Sequence, residues 1–543
     1  MKLRLIFCIK YLFLFFLPCR AQISAGRPAL VVGIVVDQMR QDFLYRYSGG
    51  FGLGGFRRMQ DEGFSFTSCR YSYVPTYTAP GHASIFTGTT PAVHGIVGNN
   101  WLEKNGEEKY CTRDARVQGI GGKGKQGKMS PTNMLAGSVA DQVRLASGFR
   151  GKSFGISLKD RGAILPAGHA ANAAFWYDFE NGNFISSDWY RDLNGRLPAW
   201  LEKFNASGPA QAMKDSVWKP LLPSHFYCNS KDNQPWENAL EKGKDPVFPY
   251  PMSGPGCFSK IASSPFGNRL TAEAAMALVE GEGLGMDSIC DFLSVSFSST
   301  DIVGHSYGPS AIETEDCYFR LDRDLDRFFS FLDKKVGKGR WLCFLTADHG
   351  VMEVPAFLES RQMPSGLFSE ASCLDSLRRI SLRVTGKDWI SGLENLQVSL
   401  REGFFSLPAS EQESISLVIC RWLENQPAVL RAFPLYGQKP WPEPPFLDKV
   451  LAGYFPGRSG QIQVLLKAPW LNQASAKGTT HGSPYAYDSH VPCLWLGWKI
   501  AAGEDPRPVA VEDIAVSLSS LIRIGFPTAA TGRVQPIPLR KTP

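Results

Sequence analysis

The sequence predicts an α/β protein built on a mostly parallel sheet, and two kinds of segment support this prediction. Four short, continuous apolar runs are typical of strands buried on both faces, as in parallel sheets. These runs are Ala29–Val36, Asp291–Phe297, Trp341–Thr346 and Val491–Gly497. Between the second and third runs, residues 313–335 repeat apolar side chains, including Phe319, Leu325 and Leu332, at helical spacing opposite a charged face. A strand, an amphipathic helix and a strand in this order form a βαβ unit.

Asp and His residues follow three of these runs at the point where each run ends. Asp37 follows the first run, Asp301 and His305 follow the second, and Asp348 and His349 follow the third. Ligands of parallel α/β sheets bind beyond the carboxyl ends of the strands. Asp and His also supply the oxygen and nitrogen ligands that suit Zn²⁺. We therefore expect a metal site at this edge, although Asp37 alone would be interpreted as a turn or helix cap.

A further cluster precedes the last run and contains His481, Asp488 and His490. Together with the earlier Asp and His residues, this cluster could serve two zinc ions about 4 Å apart, one at the nucleophile and one at the leaving oxygen. The residue pattern alone leaves open which of the two histidines is a ligand.

The stretch from Val74 to Gly95 is rich in Thr, Ser and His and predicts the start of a helix. Thr78 stands just before Ala79 and Pro80, and Pro at the first helical position is a start signal. Its hydroxyl could be an N-cap that accepts a backbone N–H. Alternatively, it could lie at the positive end of the helix because a phosphate binds there.

The first 21 residues have the pattern of a secretory signal peptide, with Lys2 and Arg4, an apolar core and a predicted cleavage after Ala21. An uncleaved anchor helix is the alternative. We expect a periplasmic or secreted protein with no membrane anchor after cleavage. Loss of the four basic residues in this segment takes the net charge from +7 to +3, which gives no case for a nucleic-acid partner.

Cysteine usage predicts disulfides. Of the 12 cysteines, Cys8 and Cys19 lie in the predicted signal peptide, and ten remain in the mature chain. In an exported protein we expect some of these ten to form disulfides, although the sequence does not give the pairing.

Two stretches rich in Pro, Gly and Trp, at about 100–270 and 352–475, predict insertions. We interpret them as a cap over the strand ends of one domain that spans residues 22–543. The aromatic-rich segments Phe175–Gly182 and Ser186–Tyr190 either pack the cap onto the sheet or hold a nucleobase or a second ester group.

Together the residues resemble the alkaline phosphatase superfamily. Within it they are similar to the phosphate-irrepressible (PafA-type) alkaline phosphatases of bacteria, which are related to nucleotide pyrophosphatase/phosphodiesterases. The matching segments run in the family's order from about residue 29 to 498. They are VVDQMR, TAPGHASIFTGTTPAVHGIVGNNW, SLKDRGAILPAGH, STDIVGHSYGP, TADHG and THGSPY. The resemblance implies an alkaline-phosphatase-like α/β sandwich with a mostly parallel central sheet flanked by helices, plus cap insertions.

The resemblance also implies a phosphate-ester hydrolase with two Zn²⁺ ions. One ion would be bound by Asp301, His305 and His481, and the other by Asp37, Asp348, His349 and Thr78. Thr78 would attack phosphorus as a metal-activated alkoxide and form a phosphothreonine. Asn99 would donate a hydrogen bond to a phosphoryl oxygen, and Thr76 is the reserve nucleophile. His481 is chosen over His490 because it matches the family segment.

In the family, a Lys-x-Arg pair distinguishes monoesterases from diesterases, and Lys159 and Arg161 match it. Cations favour a monoester dianion because charge-assisted hydrogen bonds are strong and Arg can bind two oxygens. The alternative is an exposed basic turn in which Asp160 offsets one charge.

The favoured hypothesis is a broad-specificity, zinc-dependent periplasmic phosphomonoesterase that acts on small phosphate esters. The alternative is a phosphodiesterase or nucleotide pyrophosphatase with the same two-metal site. A non-catalytic envelope protein with the same fold is a third hypothesis, disfavoured because every expected ligand position is filled. Sulfatase activity is disfavoured because Thr78-Ala-Pro-Gly-His82 lacks the Cys/Ser and Arg of the sulfatase motif. The sequence does not indicate an oligomeric state.

Overall fold

The structure is a computed structural model of the chain. It describes residues 26–103, 106–122, 124–227, 231–437 and 443–540. The predicted signal peptide, residues 1–21, lies outside these ranges. In the described part, no helix combines the length and the apolar character needed to cross a membrane.

The secondary structure alternates strands and helices for most of the chain. The strands are β1 Leu30–Val36, β2 Phe64–Arg70, β3 Asn100–Leu102, β4 Glu108–Tyr110, β5 Gly119–Ile120, β6 Ser153–Ser157, β7 Ala173–Tyr177, β8 Phe184–Ser187, β9 Val217–Trp218, β10 Tyr250–Pro251, β11 Asp291–Phe297, β12 Trp341–Thr346, β13 Gly366–Phe368, β14 Ile390–Glu394, β15 Gln397–Leu400, β16 Val429–Pro434, β17 Ile462–Leu466, β18 Trp470–Asn472, β19 His490–Gly497 and β20 Gly503–Ala510. The helices are α1 Phe43–Arg46, α2 Phe56–Asp61, α3 Thr78–Thr87, α4 Pro91–His94, α5 Val139–Ala146, α6 Asp160–Ala167, α7 Ala199–Ala206, α8 Pro209–Met213, α9 Cys257–Ala262, α10 Pro265–Glu282, α11 Ser299–Tyr307, α12 Ile312–Leu332, α13 Pro355–Ser360, α14 Glu370–Thr385, α15 Ala409–Glu424, α16 Leu447–Gly453, α17 Ala486–Ser489 and α18 Asp513–Leu521.

A ten-stranded sheet organises the fold, in the order β20-β2-β19-β12-β1-β11-β6-β7-β8-β5. Five consecutive strands, in the order β12-β1-β11-β6-β7, run parallel to one another. β1 lies between β11 and β12, with Leu30 opposite both Asp291 and Trp341. The ends of these three strands therefore lie side by side. The predicted α/β class with a mostly parallel central sheet flanked by helices is confirmed.

One predicted parallel strand has the opposite direction. Val491–Gly497 was predicted as a parallel strand, and the structure places it in β19, which is antiparallel to both β12 and β2. A continuous apolar run indicates a strand buried on both faces, and residues 491–496 are indeed buried. Burial alone does not determine whether a strand is parallel or antiparallel to its neighbours. The predicted direction was therefore wrong.

The helix that contains Thr78 starts two residues before Pro80, which the Pro signal indicates as the first helical residue. Thr78 is the first residue of α3, and the N-cap residue is Tyr77, whose side chain makes no capping hydrogen bond. Pro80 is therefore the third helical residue and not the first. The Thr78 hydroxyl faces His349, so neither the Pro signal nor the N-cap interpretation holds at this helix end.

The predicted insertions differ from each other in construction. Within 100–270, strands β5 to β8 belong to the central sheet, so this part of the chain extends the sheet edge. The aromatic residues of Phe175–Tyr177 form β7 and are buried there. Within 352–475, a separate sheet of order β14-β15-β17-β16 packs with α14 and α15 around its own apolar core. Val74, four residues before Thr78, packs against this second region at Phe433 and Leu465.

The expected disulfides are absent among the nine cysteines that the structure describes, which are all free. Seven of them are buried. A buried free cysteine acts as a small apolar side chain, which accounts for these positions without covalent pairing. Cys8, Cys19 and Cys228 lie outside the described residues.

Packing of α3 onto the central sheet depends on Phe86. Its ring lies 6.1 Å from that of Phe292 and 5.7 Å from that of Phe344, and the residue is fully buried. Gly33 in β1 makes room, because a Cβ there would lie 2.9 Å from Phe86 Cε1. We expect Phe86→Ala to lower the free energy of unfolding by about 3–5 kcal/mol, since it removes a packed aromatic ring. Denaturant unfolding measures this change. The control is Leu53→Ala, because the Leu53 side chain is 77% exposed. A decrease of more than about 0.5 kcal/mol in the free energy of unfolding of this control would contradict the account.

Candidate active site

Side chains from three adjacent strand ends meet at one edge of the sheet. Asp37 follows β1 directly, Asp301 lies in the first turn of α11 after β11, and Asp348 and His349 follow β12. All four are buried, with at most 3% of their surface exposed. Because the three strands are parallel and in register, these side chains converge as the sequence predicts.

Two sets of three side chains bring their ligand atoms within 4.8 Å of one another. The first set is Asp301, His305 and His481, and the second is Asp37, Asp301 and His349. Asp301 belongs to both sets, so they form one continuous cluster. Asp348, predicted for the second metal, is in neither set, but its Oδ2 lies 3.7 Å from His349 Nε2.

All three histidines of the cluster are held in the same way. The Nδ1 atoms of His305, His349 and His481 lie 2.7, 2.9 and 2.7 Å from the backbone oxygens of Thr479, Gly350 and Thr76. An Nδ1–H that donates to a carbonyl leaves Nε2 with its lone pair free. Such anchoring is typical of metal-ligating histidine. His305 Nε2 and His481 Nε2 lie 3.1 and 3.7 Å from Asp301 Oδ1, so the free nitrogens point into the cluster.

Burial keeps two of these rings neutral. It lowers the pKa of His349 to about 3, and burial together with His349 lowers the pKa of His481. At His305 the effect of burial is outweighed by the Asp301 carboxylate, which raises the pKa. A neutral imidazole is the form that binds a metal.

Two carboxylate oxygens of the cluster have no hydrogen-bond partner in the described chain. They are Asp37 Oδ1 and Asp348 Oδ2, and both are buried. Burial and the neighbouring carboxylates, Asp301 at Asp37 and Asp37 at Asp348, raise the pKa of both groups. Buried carboxylates with free oxygens need a cation or a proton. With three free imidazole nitrogens beside them, these residues fit a metal site.

Lys159 lies inside the cluster. Its Nζ is 2.6 Å from Asp37 Oδ2 and 2.6 Å from Asp301 Oδ2. Burial acts to raise the pKa of Asp301, but His305 and Lys159 outweigh it and hold that pKa well below its usual range. Only 9% of Lys159 is exposed, which is incompatible with the alternative of an exposed basic turn.

Sequence reasoning missed Gln38, which joins two of the acids. Its Nε2 donates to Asp301 Oδ1 at 2.7 Å, and its backbone N–H donates to Asp348 Oδ1 at 3.1 Å. The residue has a φ of 67°, an uncommon conformation outside glycine. Its position next to Asp37 was the only sequence signal, and a side-chain amide is too common to single out on that ground.

Thr78 lies beside the cluster at the N-terminus of α3. Its Oγ1 is 3.4 Å from His349 Nε2, and only 2% of the residue is exposed. The reserve candidate Thr76 instead donates its hydroxyl hydrogen to the Ser483 carbonyl at 3.0 Å. Gly81 allows α3 to approach closely, because a Cβ there would lie 2.3 Å from the Asp348 carbonyl oxygen.

His82 holds the same helix to the cluster. Its Nδ1 donates to the Thr78 carbonyl at 2.8 Å. The same atom lies 3.3 Å from Asp348 Oδ2. Burial lowers the pKa of His82 to about 4, so the ring is neutral.

Asn99 contacts the first turn of α3, and Arg161 lies in the first turn of α6 against Tyr110. Asn99 Oδ1 accepts a hydrogen bond from Ala79 N at 2.9 Å, which leaves the side-chain NH₂ group to donate elsewhere. Arg161 Nη1 donates to Tyr110 OH at 3.0 Å, and Tyr110 OH donates to Asp160 Oδ2 at 2.9 Å. Sequence reasoning missed Tyr110, since it lies in β4, about 50 residues from Arg161, and matches no motif.

Comparisons with known proteins identify a family and two similar enzymes. A family model described as type I phosphodiesterase / nucleotide pyrophosphatase matches residues 31–401. Alkaline phosphatase PafA of Elizabethkingia meningoseptica is 43% identical over 521 residues, which cover 94% of this chain and 94% of that protein. Alkaline phosphatase PhoV of Synechococcus elongatus is 40% identical over 518 residues, covering 94% of this chain and 93% of that protein.

Solved structures show the same fold. The crystal structure of wild-type PafA has a TM-score of 0.88 at 42% identity, covering 94% of this chain and 98% of that one. Murine ectonucleotide pyrophosphatase / phosphodiesterase 5 has a TM-score of 0.50 at 14% identity, which is a likeness of fold alone.

The structure separates the two candidate histidines of the last cluster. His490 is the first residue of β19, and its Nε2 lies 2.9 Å from the carbonyl oxygen of Thr67 in β2. It belongs to neither ligand set, whereas His481 belongs to the first set. We expect His481→Ala to lose bound metal, because one of three convergent ligands is removed, and His490→Ala to keep it. Elemental analysis of the purified variants measures the metal content. Equal metal content in both variants would contradict the assignment.

Proposed function

Because the chain belongs to the type I phosphodiesterase / nucleotide pyrophosphatase family and is an alkaline phosphatase, we propose that it is a zinc-dependent phosphomonoesterase of broad specificity. It acts on small phosphate esters in the periplasm or outside the cell, after cleavage of residues 1–21 from a single domain of residues 22–543. The observation that carries this proposal is the convergence of three anchored histidines on buried carboxylates, two of which keep an oxygen without a hydrogen-bond partner, beside the Thr78 hydroxyl.

The ligand sets suit two Zn²⁺ ions, which take nitrogen and oxygen donors. One ion would be held by Asp301, His305 and His481, and the other by Asp37, Asp348, His349 and Thr78. When bound, zinc lowers the pKa of a coordinated hydroxyl and neutralises charge on a leaving oxygen.

Thr78 supplies the nucleophile in this mechanism. Its deprotonated Oγ1 forms a bond to phosphorus while the bond from phosphorus to the ester oxygen breaks, and the alcohol takes a proton from solvent. Water then attacks phosphorus, the Thr78 Oγ1–phosphorus bond breaks, and phosphate leaves. The ten-residue helix α3 places its positive end at this oxygen, which favours the anionic phosphoryl group. Asn99 donates its free NH₂ hydrogens to a non-bridging oxygen.

Lys159 and Arg161 favour monoesters over diesters. A monoester dianion carries one more charged oxygen than a diester. The Lys159 ammonium lies between the carboxylates of Asp37 and Asp301. Arg161, in α6, donates a hydrogen bond to the Tyr110 hydroxyl. Positive charge from these two side chains stabilises the additional oxygen.

A phosphodiesterase is the second candidate, and the family model is the observation that favours it. Its aromatic pocket for a second ester group would come from Phe175–Gly182 or Ser186–Tyr190. Phe175, Trp176 and Tyr177 are buried in β7, and Tyr190 is also buried. These side chains pack the sheet edge, and the half-buried Phe179 and Trp189 of the same segments pack against the main core, so the monoester assignment is preferred.

Thr78→Ala tests the nucleophile. We expect kcat for p-nitrophenyl phosphate to fall by at least about 10³-fold, because the covalent step loses its attacking oxygen. The matched control Thr76→Ala lacks a hydroxyl two residues away and should keep most activity. A Thr78→Ala enzyme with near wild-type turnover, or a comparable loss in Thr76→Ala, would move the nucleophile away from Thr78.

Lys159→Ala and Arg161→Ala test the substrate class. Each should reduce kcat/KM for p-nitrophenyl phosphate by roughly 10- to 150-fold, the effect of losing a charge-assisted hydrogen bond. Hydrolysis of bis-p-nitrophenyl phosphate should change much less, so the monoester-to-diester ratio falls. Arg116→Ala removes a basic side chain that pairs with Asp114 in the same region and should leave the ratio unchanged. An unchanged ratio in both test variants would refute the assignment.

A further inference from the structure

Asp488, in the cluster that precedes β19, is a buried residue with no role in the mechanism above. It lies in the short helix α17 and belongs to neither ligand set. Only 1% of the residue is exposed. Burial of a carboxylate is costly unless its oxygens accept hydrogen bonds or meet a cation. The donors that contact this carboxylate therefore indicate what it does.

The Asp488 carboxylate holds the loop that follows His481. Its Oδ2 accepts three hydrogen bonds, from Gly482 N at 3.1 Å, from Ser483 N at 2.8 Å and from Ser483 Oγ at 2.6 Å. These donors belong to the two residues directly after His481. On the other side of the loop, His481 Nδ1 donates to the Thr76 carbonyl at 2.7 Å. The His481 ring is therefore carried by a loop that is fastened at the histidine and at the residues after it.

This loop needs such a restraint because it turns at a glycine. Gly482 has a φ of 125°, a conformation that residues with a side chain rarely adopt. A Cβ at this position would also lie 2.6 Å from Tyr77 Cε1. Glycine thus permits the turn, but it leaves the backbone more conformational freedom than any other residue does. The hydrogen bonds to Asp488 restrict that freedom directly beside His481.

The backbone of the same residue holds a second histidine. The Asp488 carbonyl oxygen accepts a hydrogen bond from Gly350 N at 2.7 Å, and the Gly350 carbonyl oxygen accepts the Nδ1 hydrogen of His349 at 2.9 Å. Gly350 can approach this closely because it lacks a Cβ, which would clash with the Tyr487 carbonyl oxygen. Asp488 therefore contacts the turns of His481 and His349 through two different groups.

The two histidine rings that depend on Asp488 lie face to face. The centroids of His349 and His481 are 3.4 Å apart, and the ring planes differ by 13°. At this separation, a displacement of either turn moves one ring relative to the other. A functional metal site needs its ligands within about 0.5 Å of their productive positions. Hydrogen-bonding partners of the ligands set these positions.

We propose that Asp488 is a positioning residue for both metal sites. Its carboxylate fixes His481 of the first ligand set, and its carbonyl oxygen, through Gly350, fixes His349 of the second. This inference rests on the proposed function, because it concerns the ligands of the same metals. Among the described residues, every hydrogen bond of the carboxylate comes from the loop of His481. A substitution removes the carboxylate but keeps the carbonyl group, so it should weaken the first site and spare the second.

The test uses the full, zinc-loaded chain and measures metal binding independently of turnover. Zinc is withdrawn by a chelator at increasing concentration, and in parallel it is exchanged for Co²⁺, whose visible absorption reports the geometry of its ligands. We expect Asp488→Ala to weaken one of two zinc sites about 10- to 100-fold, the usual effect of losing a partner of a metal ligand, and to change the Co²⁺ spectrum. Ser483→Ala removes one of the three hydrogen bonds and should weaken the same site by a smaller factor.

Asp291→Ala is the matched control. Asp291 is also a buried carboxylate that accepts backbone N–H groups, from Lys152 at 2.7 Å and from Gly285 at 2.9 Å. It is the first residue of β11, so it lies at the end of the strand opposite the metal cluster. We expect its loss to lower the melting temperature, as in Asp488→Ala, but to leave zinc retention and the Co²⁺ spectrum unchanged.

An Asp488→Ala protein that retains zinc as the wild type does, with an unchanged Co²⁺ spectrum, would overturn this inference and leave the proposed function standing. Equal loss of zinc in Asp291→Ala would also overturn it, because lower stability alone would then explain the effect. If Asp488→Ala does not fold, zinc retention and the Co²⁺ spectrum of Ser483→Ala decide in the same way. Wild-type protein that binds neither metal would overturn the proposed function as well.

Discussion

The need to hold several buried charges together at one sheet edge governs this structure. Asp37, Asp301 and Asp348 are almost completely buried within one cluster, and unpaired carboxylates in such surroundings repel one another strongly. The protein supplies Lys159, whose ammonium bridges two of the acids, and three histidines fixed through Nδ1. The free nitrogens and oxygens that remain are the donors that divalent metals require. Catalysis and stability therefore depend on the same compensation of charge.

The parallel register of the central strands creates this edge. β1 pairs in register with β11 and β12, so the residues after each strand emerge side by side. Two glycines then bring helix α3 close to this edge. Gly33 leaves room for Phe86 on the sheet, and Gly81 lets α3 touch the backbone of Asp348. The Thr78 hydroxyl reaches His349 because backbone contacts, and not a flexible loop, set the height of the helix above the cluster.

Sequence reasoning succeeded where one local signal determined the outcome. Apolar runs followed by Asp and His predict strand ends with ligands, and the structure brings Asp37, Asp301, His305 and His349 together. It failed where the answer depended on partners distant in the chain. The direction of β19, the role of β5 to β8 in the main sheet, and the bond from Tyr110 to Arg161 are set by tertiary contacts. Neither an apolar run nor a single tyrosine in the sequence indicates these tertiary contacts.

The central claim is that two zinc ions occupy the catalytic cluster, and a crystal structure with anomalous diffraction at the zinc edge tests it directly. The account predicts two zinc peaks, one contacted by His305 and His481 and one by His349 and Thr78. A single peak, or none in active protein, would contradict it.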